Sequence, residues 1–160
     1  MKKKYLYILI IICVIIVGLV IYSYSTTKEQ TPTINQGIYG KVTLYTGNCM
    51  PIACSGLDCF FSKSSCKTSS VSRTIYIREP VTIEAMEIMY LKNKTTLVKT
   101  IESSNNGFYQ IELPPGTYSI FVEDESKEYC TGFGGQGEVC QITIGNEVRE
   151  YNIIIDHAVW

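Results

Sequence analysis

The sequence predicts an all-β domain, a single antiparallel sandwich of about seven strands in Greek-key order, preceded by one N-terminal transmembrane helix. Three features indicate this. The N-terminal segment is almost entirely apolar, the body is rich in Thr, Tyr, Val, Ile and Gly, and short alternating segments recur between Gly, Pro and Asn turns. We therefore expect an anchor at 1–25, a linker at 26–36 and a sandwich at 37–160 with a Cys-rich loop at 46–72.

The N-terminal segment has the length of a membrane span. Residues 5–24 carry no charge, and a helix of about 20 residues rises about 30 Å, the thickness of a bilayer's hydrocarbon core. Lysines at 2–4 predict a cytoplasmic N-terminus and an extracytoplasmic body at the cell membrane. The alternative is a cleaved signal ending near 23–25, which would give a secreted protein, although the apolar run is longer than usual for a signal. Both interpretations export the body.

The body contains six cysteines besides Cys13, which lies in the apolar segment. An even number in an exported domain predicts disulfides. Cys130–Cys140 would close a Gly-rich loop, and Cys49–Cys66 would enclose Cys54–Cys59, with crossed pairings among these last four as the alternative. A zinc site is disfavoured because the spacings lack the short Cys-x₂-Cys knuckle. No metal or other cofactor is expected.

Alternation of apolar and polar residues locates the strands. The predicted strands, in chain order, are 38–45, 73–78, 95–102, 109–113, 118–122, 139–144 and 147–155. Segment 81–91 also suits a brief helix, so its structure stays open. Asn105-Asn106-Gly107 predicts a hairpin turn, and further turns are expected at 114–116 and 145–146.

Two stretches carry a family resemblance. Gly40-Lys-Val-Thr-Leu44 and the run from Asn106 to Tyr118, which ends Leu113-Pro-Pro-Gly-Thr-Tyr118, resemble the carboxypeptidase regulatory-like, or transthyretin-like, domain family. The likeness covers roughly 37–124 and leaves the Cys-rich loop and 156–160 unexplained. It implies a non-catalytic sandwich of the kind that accompanies enzymes, transporters or surface proteins.

Composition narrows the function. The formal net charge is −1 with acids and bases interspersed, so nucleic-acid binding is not expected. We expect no enzyme but a non-catalytic module for binding, assembly or envelope structure. The alternative is an accessory or hydrolase-like envelope protein, which would depend on His157, the single histidine. The acidic run 123–125 lacks the spacing of a calcium loop and predicts a solvated turn.

The candidate binding surface consists of aromatic side chains with outward parity, that is, at the alternate strand positions predicted to face away from the core. Tyr39, Tyr45 and Phe108 have that parity, and Trp160 joins them as a candidate contact for an unknown protein or carbohydrate partner. The alternative is that these rings form ordinary cross-strand pairs covered by the long loop.

An adhesin-type stalk module is a further alternative, because such modules carry a Lys–Asn or Lys–Asp isopeptide bond promoted by an acid. Lys41, Asn152 and Glu112 would be the candidates. Alternation predicts that all three face solvent, which argues against the bond.

Overall fold

The computed structural model describes residues 11–18, 30–51, 65–93 and 95–160. The chain divides into two units, Met1–Thr31 and Pro32–Trp160. Residues 11–18 are helical, whereas most of the predicted span 5–24 lies outside the described residues. Within the described residues, no helix has both the length and the apolar character needed to cross a membrane.

The second unit is built from short strands. The described residues contain fourteen strands and one 3₁₀ turn at Ile83–Ala85. The strands are β1 Gly37–Asn48, β2 Lys67–Ser70, β3 Thr74–Arg78, β4 Val81–Thr82, β5 Met86–Glu87, β6 Tyr90–Leu91, β7 Leu97–Glu102, β8 Phe108–Ile111, β9 Gly116–Asp124, β10 Lys127–Tyr129, β11 Glu138–Val139, β12 Gln141–Ile144, β13 Val148–Glu150 and β14 Ile153–Val159. The prediction of an all-β domain is confirmed, with more and shorter strands than the predicted seven.

The first sheet is organised around β1. The first half of β1 pairs with β8 and β13, and its second half pairs with β2 and β14. β1 runs antiparallel to β8 and β2 but parallel to β13 and β14. These two parallel pairs correct the prediction of a purely antiparallel sandwich, because alternation indicates the faces of a strand and not the direction of its neighbour.

The second sheet has β9 at its centre. β9 pairs with β3, β10 and β12, and β7 forms the edge beyond β3. The predicted turn after β7 is present, since Gly107 has a φ of 79° and its N–H donates to the Ser104 carbonyl at 2.8 Å. The turn nevertheless leads from β7 in the second sheet to β8 in the first. The predicted hairpin is therefore wrong, because turn residues allow a tight reversal whichever sheet follows.

The main core lies between the two sheets. The buried apolar residues from both sheets are Ile38, Val42, Ile75, Ile77, Tyr109, Ile111, Leu113, Tyr118, Ile120, Val122, Tyr129, Ile142, Ile144, Ile153 and Ile155. The predicted inward parities of β8, β9 and β14 are confirmed. Tyr118 also donates its hydroxyl hydrogen to the Pro114 carbonyl at 3.0 Å, which closes the turn that precedes β9.

A second, smaller cluster covers the far face of the second sheet. Phe121 points away from the main core and packs with Val81, Cys130 and Val139. Segment 81–91, left open by the sequence, forms β4, the 3₁₀ turn, β5 and β6 here. β4 pairs with β11 in the disulfide loop. We call segments 81–91 and 130–140 together the cover.

Candidate binding face

The outer side of the first sheet carries the predicted surface residues. Ile38 and Val42 are fully buried, so the alternate positions Tyr39 and Tyr45 of β1 point outward. Phe108 of β8 lies directly opposite Lys41 and shares that side. We call this side of β1, β2, β8, β13 and β14 the aromatic face.

Tyr45 and Trp160 form a ring pair at one end of the aromatic face. Their ring centroids are 6.3 Å apart with an interplanar angle of 38°. The Trp160 indole Nε1–H donates to Asp156 Oδ2 at 2.9 Å, and Asp156 Oδ1 accepts from the Ala158 N–H at 3.0 Å. Asp156 lies opposite Tyr45 in the β1–β14 ladder. Asp156 thus holds the indole against Tyr45 while leaving Trp160 61% exposed.

The other end of the aromatic face is where the chain enters the sandwich. Gln110, opposite Tyr39, accepts the Thr33 N–H at 2.8 Å and donates to the Thr33 hydroxyl at 2.8 Å. Tyr39 and Tyr45 are separated by about 20 Å along β1, at about 3.3 Å per residue. The Tyr45–Trp160 pair therefore lies at the end of the face remote from the entry point.

The four predicted rings consequently share one face. Tyr39, Tyr45 and Phe108 are partly exposed and Trp160 is exposed. Residues 52–64 of the long loop, which the alternative interpretation places over these rings, lie outside the described residues.

Charged groups are few on the described part of the aromatic face. The ladders place Lys41, Glu150 and Asp156 there. Glu150 Oε1 accepts from the Asn152 side-chain amide at 2.8 Å, and both carboxylate oxygens of Asp156 accept the hydrogen bonds given above. Lys41, Glu150 and Asp156 thus give the described part of the face charges of mixed sign, with no cluster of one sign.

A polar cluster joins the two sheets at the inner side of β14. His157 Nε2 lies 2.9 Å from Asp124 Oδ2, and the Tyr90 hydroxyl donates to the same oxygen at 3.0 Å. Asp124 is only 4% exposed. Burial of Tyr90, together with its hydrogen bond to Asp124, raises the Tyr90 pKa to about 12.

This cluster corrects two expectations. Asp124 is buried and not part of a solvated turn, and His157 does more than end a strand. The sequence carried a signal for both, because Asp124 continues the inward series of Ile120 and Val122, and His157 continues that of Ile155.

The cluster places a carboxylate beside an imidazole. In the described part of the chain, Asp124 is the hydrogen-bonding side chain at the His157 ring, and the ring edge meets Tyr129 at a centroid distance of 6.3 Å. Tyr129 in turn accepts from the Asp156 N–H at 3.1 Å. The same described residues include no group of three or more potential ligands placed to hold a metal ion. These contacts serve to tie β14 to the second sheet.

In the stalk-type alternative, the side chain of Asn152 is a candidate for an isopeptide bond with Lys41. The Asn152 side-chain oxygen accepts the backbone N–H of Lys41 at 2.9 Å. Lys41, Asn152 and Glu112 are all exposed, as the alternation predicts. The side-chain amide of Asn152 thus satisfies the backbone N–H of β1 at the point between its pairing with β13 and its pairing with β14.

Two of the three predicted disulfides are present. Cys49 pairs with Cys66 and Cys130 pairs with Cys140, with Cα–Cα distances of 4.6 Å and 6.2 Å. The predicted bridge between residues 54 and 59 lies outside the described residues. Comparison of the chain with protein-family models, with curated proteins and with solved structures found no match.

Proposed function

We propose that this protein is a membrane-anchored, extracytoplasmic β-sandwich module without catalytic activity, which binds a partner through the aromatic face. The observation that carries the proposal is the collection of Tyr39, Phe108, Tyr45 and Trp160 on one side of one sheet. Tyr and Trp are the residues most enriched at binding hot spots, since their rings give a large contact area for few rotatable bonds.

Export is supported by the cysteines and by the apolar segment. Disulfides persist in oxidising compartments, and both described bridges join residues of the sandwich. The uncharged run at 5–24, preceded by lysines, has the length and flanking charge of an anchor with an inside N-terminus. The resemblance to carboxypeptidase regulatory-like domains is consistent with a sandwich displayed outside the cell and lacking chemistry of its own.

The hydrolase-type alternative has less support from the contacts. His157 Nε2 and the Tyr90 hydroxyl both hydrogen-bond to Asp124 Oδ2, and the His157 bond joins β14 to β9. A triad would also need a Ser or Cys beside the ring. The polar cluster is better explained as a tie between sheets.

Site-specific photo-crosslinking tests the binding role. The full chain, expressed in cells with p-benzoylphenylalanine in place of Tyr45, is expected to form a discrete crosslinked product on irradiation. The matched control carries the same group at Phe133, which is 44% exposed but lies in the cover. Equal products from both positions, or none from position 45, would contradict binding at the aromatic face.

Membrane fractionation with non-reducing peptide mapping tests the anchor and the compartment. We expect the chain in the membrane fraction with residues 5–24 retained and with the disulfides intact. Free thiols at Cys130 and Cys140 in protein taken directly from cells, or a purely soluble chain that keeps its N-terminal segment, would contradict export.

A further inference from the structure

The polar side chains around Tyr45 supply hydroxyl groups. Tyr45 lies opposite Thr68, and its neighbour on the same face, Thr43, lies opposite Ser70. Both β2 residues are exposed. Hydroxyl groups donate and accept hydrogen bonds at once, so the rings are bordered by groups that can pair with either role in a ligand.

The shape of the aromatic face favours a long ligand. Among the described residues, the rings are distributed over about 20 Å of one sheet side, whereas small molecules are usually enclosed in concave pockets. A polymer in an extended conformation would touch several rings in succession, and its ends would continue beyond the sheet.

The charges of the face exclude strongly anionic polymers. Nucleic acids and acidic membranes are bound through clusters of Lys and Arg, and Lys41 is the one cation that the ladders place on the described part of the face. The two acids that the ladders place there, Glu150 and Asp156, also disfavour anions, and together with Lys41 they give charges of mixed sign without a cluster of one sign. The face therefore suits a ligand without net charge.

A glycan meets all three conditions. A pyranose ring presents a flat array of C–H groups that packs on an aromatic ring, with hydroxyl groups at its rim for neighbouring polar side chains. We infer that the partner of the aromatic face is an uncharged polysaccharide, that Tyr45 and Trp160 form its main subsite, and that Asp156 is a positioning residue for the indole. This inference rests on the proposed binding function.

Fluorescence gives a direct test, because Trp160 is the single tryptophan of the chain. The full chain, purified in a detergent without a sugar headgroup, is titrated with N-acetylchitohexaose, maltohexaose and cellohexaose. We expect at least one of them to produce a saturable change in Trp160 emission. A lack of saturable change with all three would overturn the inference.

Variants of the ring pair locate the subsite. Tyr45→Ala is expected to weaken the affinity by roughly tenfold, since one ring contact is removed. Phe133→Ala removes an exposed ring from the cover and should leave the affinity unchanged. Full affinity in Tyr45→Ala, with circular dichroism showing an intact fold, would contradict the subsite.

The positioning role of Asp156 has its own readout. Asp156→Ala should shift the emission of Trp160 to longer wavelength before any sugar is added, because the indole loses its acceptor and becomes more solvated. Asp156→Asn keeps one acceptor oxygen for the indole but places its NH2 group at the Ala158 N–H, so it should restore the emission and the affinity only in part. An unchanged emission in Asp156→Ala would contradict the role.

The two proposals fail separately. If the oligosaccharides do not bind but position 45 crosslinks to a protein, the glycan inference falls and the binding function stands. If the titration shows no binding and the crosslinking gives no product, both the glycan inference and the proposed binding function fall. A position-45 product from which protease releases a sugar-bearing peptide containing residue 45 would support both.

Discussion

The two sheets differ in what lies on their outer sides. Phe121, on the outer side of the second sheet, is fully buried beneath the cover, whereas Tyr39 and Tyr45, on the outer side of the first sheet, remain partly exposed. The central strand β9 of the second sheet is therefore buried on both sides, while the first sheet keeps large rings partly in contact with solvent. The ring of Phe121 beneath the cover and the rings proposed to bind a partner thus have opposite surroundings in the same molecule.

The cover is fixed to its sheet through Ser119. This fully buried residue of β9 accepts the Val81 N–H at 2.9 Å and donates to the Val139 carbonyl at 2.7 Å. One hydroxyl group thus joins both segments of the cover. The Cys130–Cys140 bridge closes the second segment.

The largest effect is expected from the ring beneath the cover. Phe121→Ala should lower the free energy of unfolding by about 3–5 kcal/mol, because it leaves a cavity in a fully packed cluster. Phe108→Ala, on the aromatic face, should cost about 1 kcal/mol or less, since that ring is partly exposed. Chemical denaturation of the two variants measures the difference. Equal losses would remove the distinction between the two sides.

The disulfide of the cover should come next. Cys130→Ser with Cys140→Ser should lower the free energy of unfolding by about 2–4 kcal/mol, since the loop gains freedom in the unfolded chain. The emission of Trp160 in the folded variant should stay unchanged, because the aromatic face belongs to the other sheet. A shifted emission would show that the cover and the aromatic face are coupled.

Loss of the Ser119 hydroxyl should have an intermediate effect. Ser119→Ala leaves the Val81 N–H and the Val139 carbonyl buried without their partner, which should cost about 1–3 kcal/mol. Ser70→Ala, on exposed β2, is the matched control and should change stability by less than about 0.5 kcal/mol. Thermal unfolding compares them. Ser119→Ala with the stability of the wild-type chain would mean that the cover is held by its apolar contacts alone.

Alternation predicted the faces of the strands well and their partners poorly. The inward positions Tyr109 and Ile111 and the outward rings follow from the period of two, which is a local property. The parallel pairing of β1 with β14 does not, because it joins segments more than a hundred residues apart. The burial of Phe121 was also missed, since a residue of outward parity is buried only when a distant segment folds over it.

In the candidate site, too, the local pattern predicted the facing of side chains better than their contacts. Alternation predicted outward positions for Tyr39, Tyr45 and Phe108, which the structure places on one side of the first sheet. Asp124 was expected in a solvated turn and His157 at a strand end, although both continue inward series of their strands. Alternation did not predict the contact between Asp124 and His157, because that contact depends on how the two sheets face each other. Local sequence thus indicates which side chains are available, and tertiary packing decides which of them meet.

The smallest expected effect concerns the tip of the cover, where Ile88 connects β5 to β6. Ile88 has a φ of 58° and is 84% exposed, a backbone conformation that β-branched residues rarely adopt. Ile88→Gly should therefore raise the free energy of unfolding by about 1 kcal/mol, because glycine adopts positive φ without steric cost.

Ile83→Gly is the matched control for this tip, since Ile83 is also exposed but has an ordinary negative φ in the 3₁₀ turn. It should lower stability by about 0.5–1 kcal/mol through the greater freedom of the unfolded chain. Denaturant titration of both variants shows whether each substitution raises or lowers the free energy of unfolding. A loss in Ile88→Gly equal to that in Ile83→Gly would show that the Ile88 side chain stabilises the cover by packing, which would extend the covered side of the second sheet to its tip.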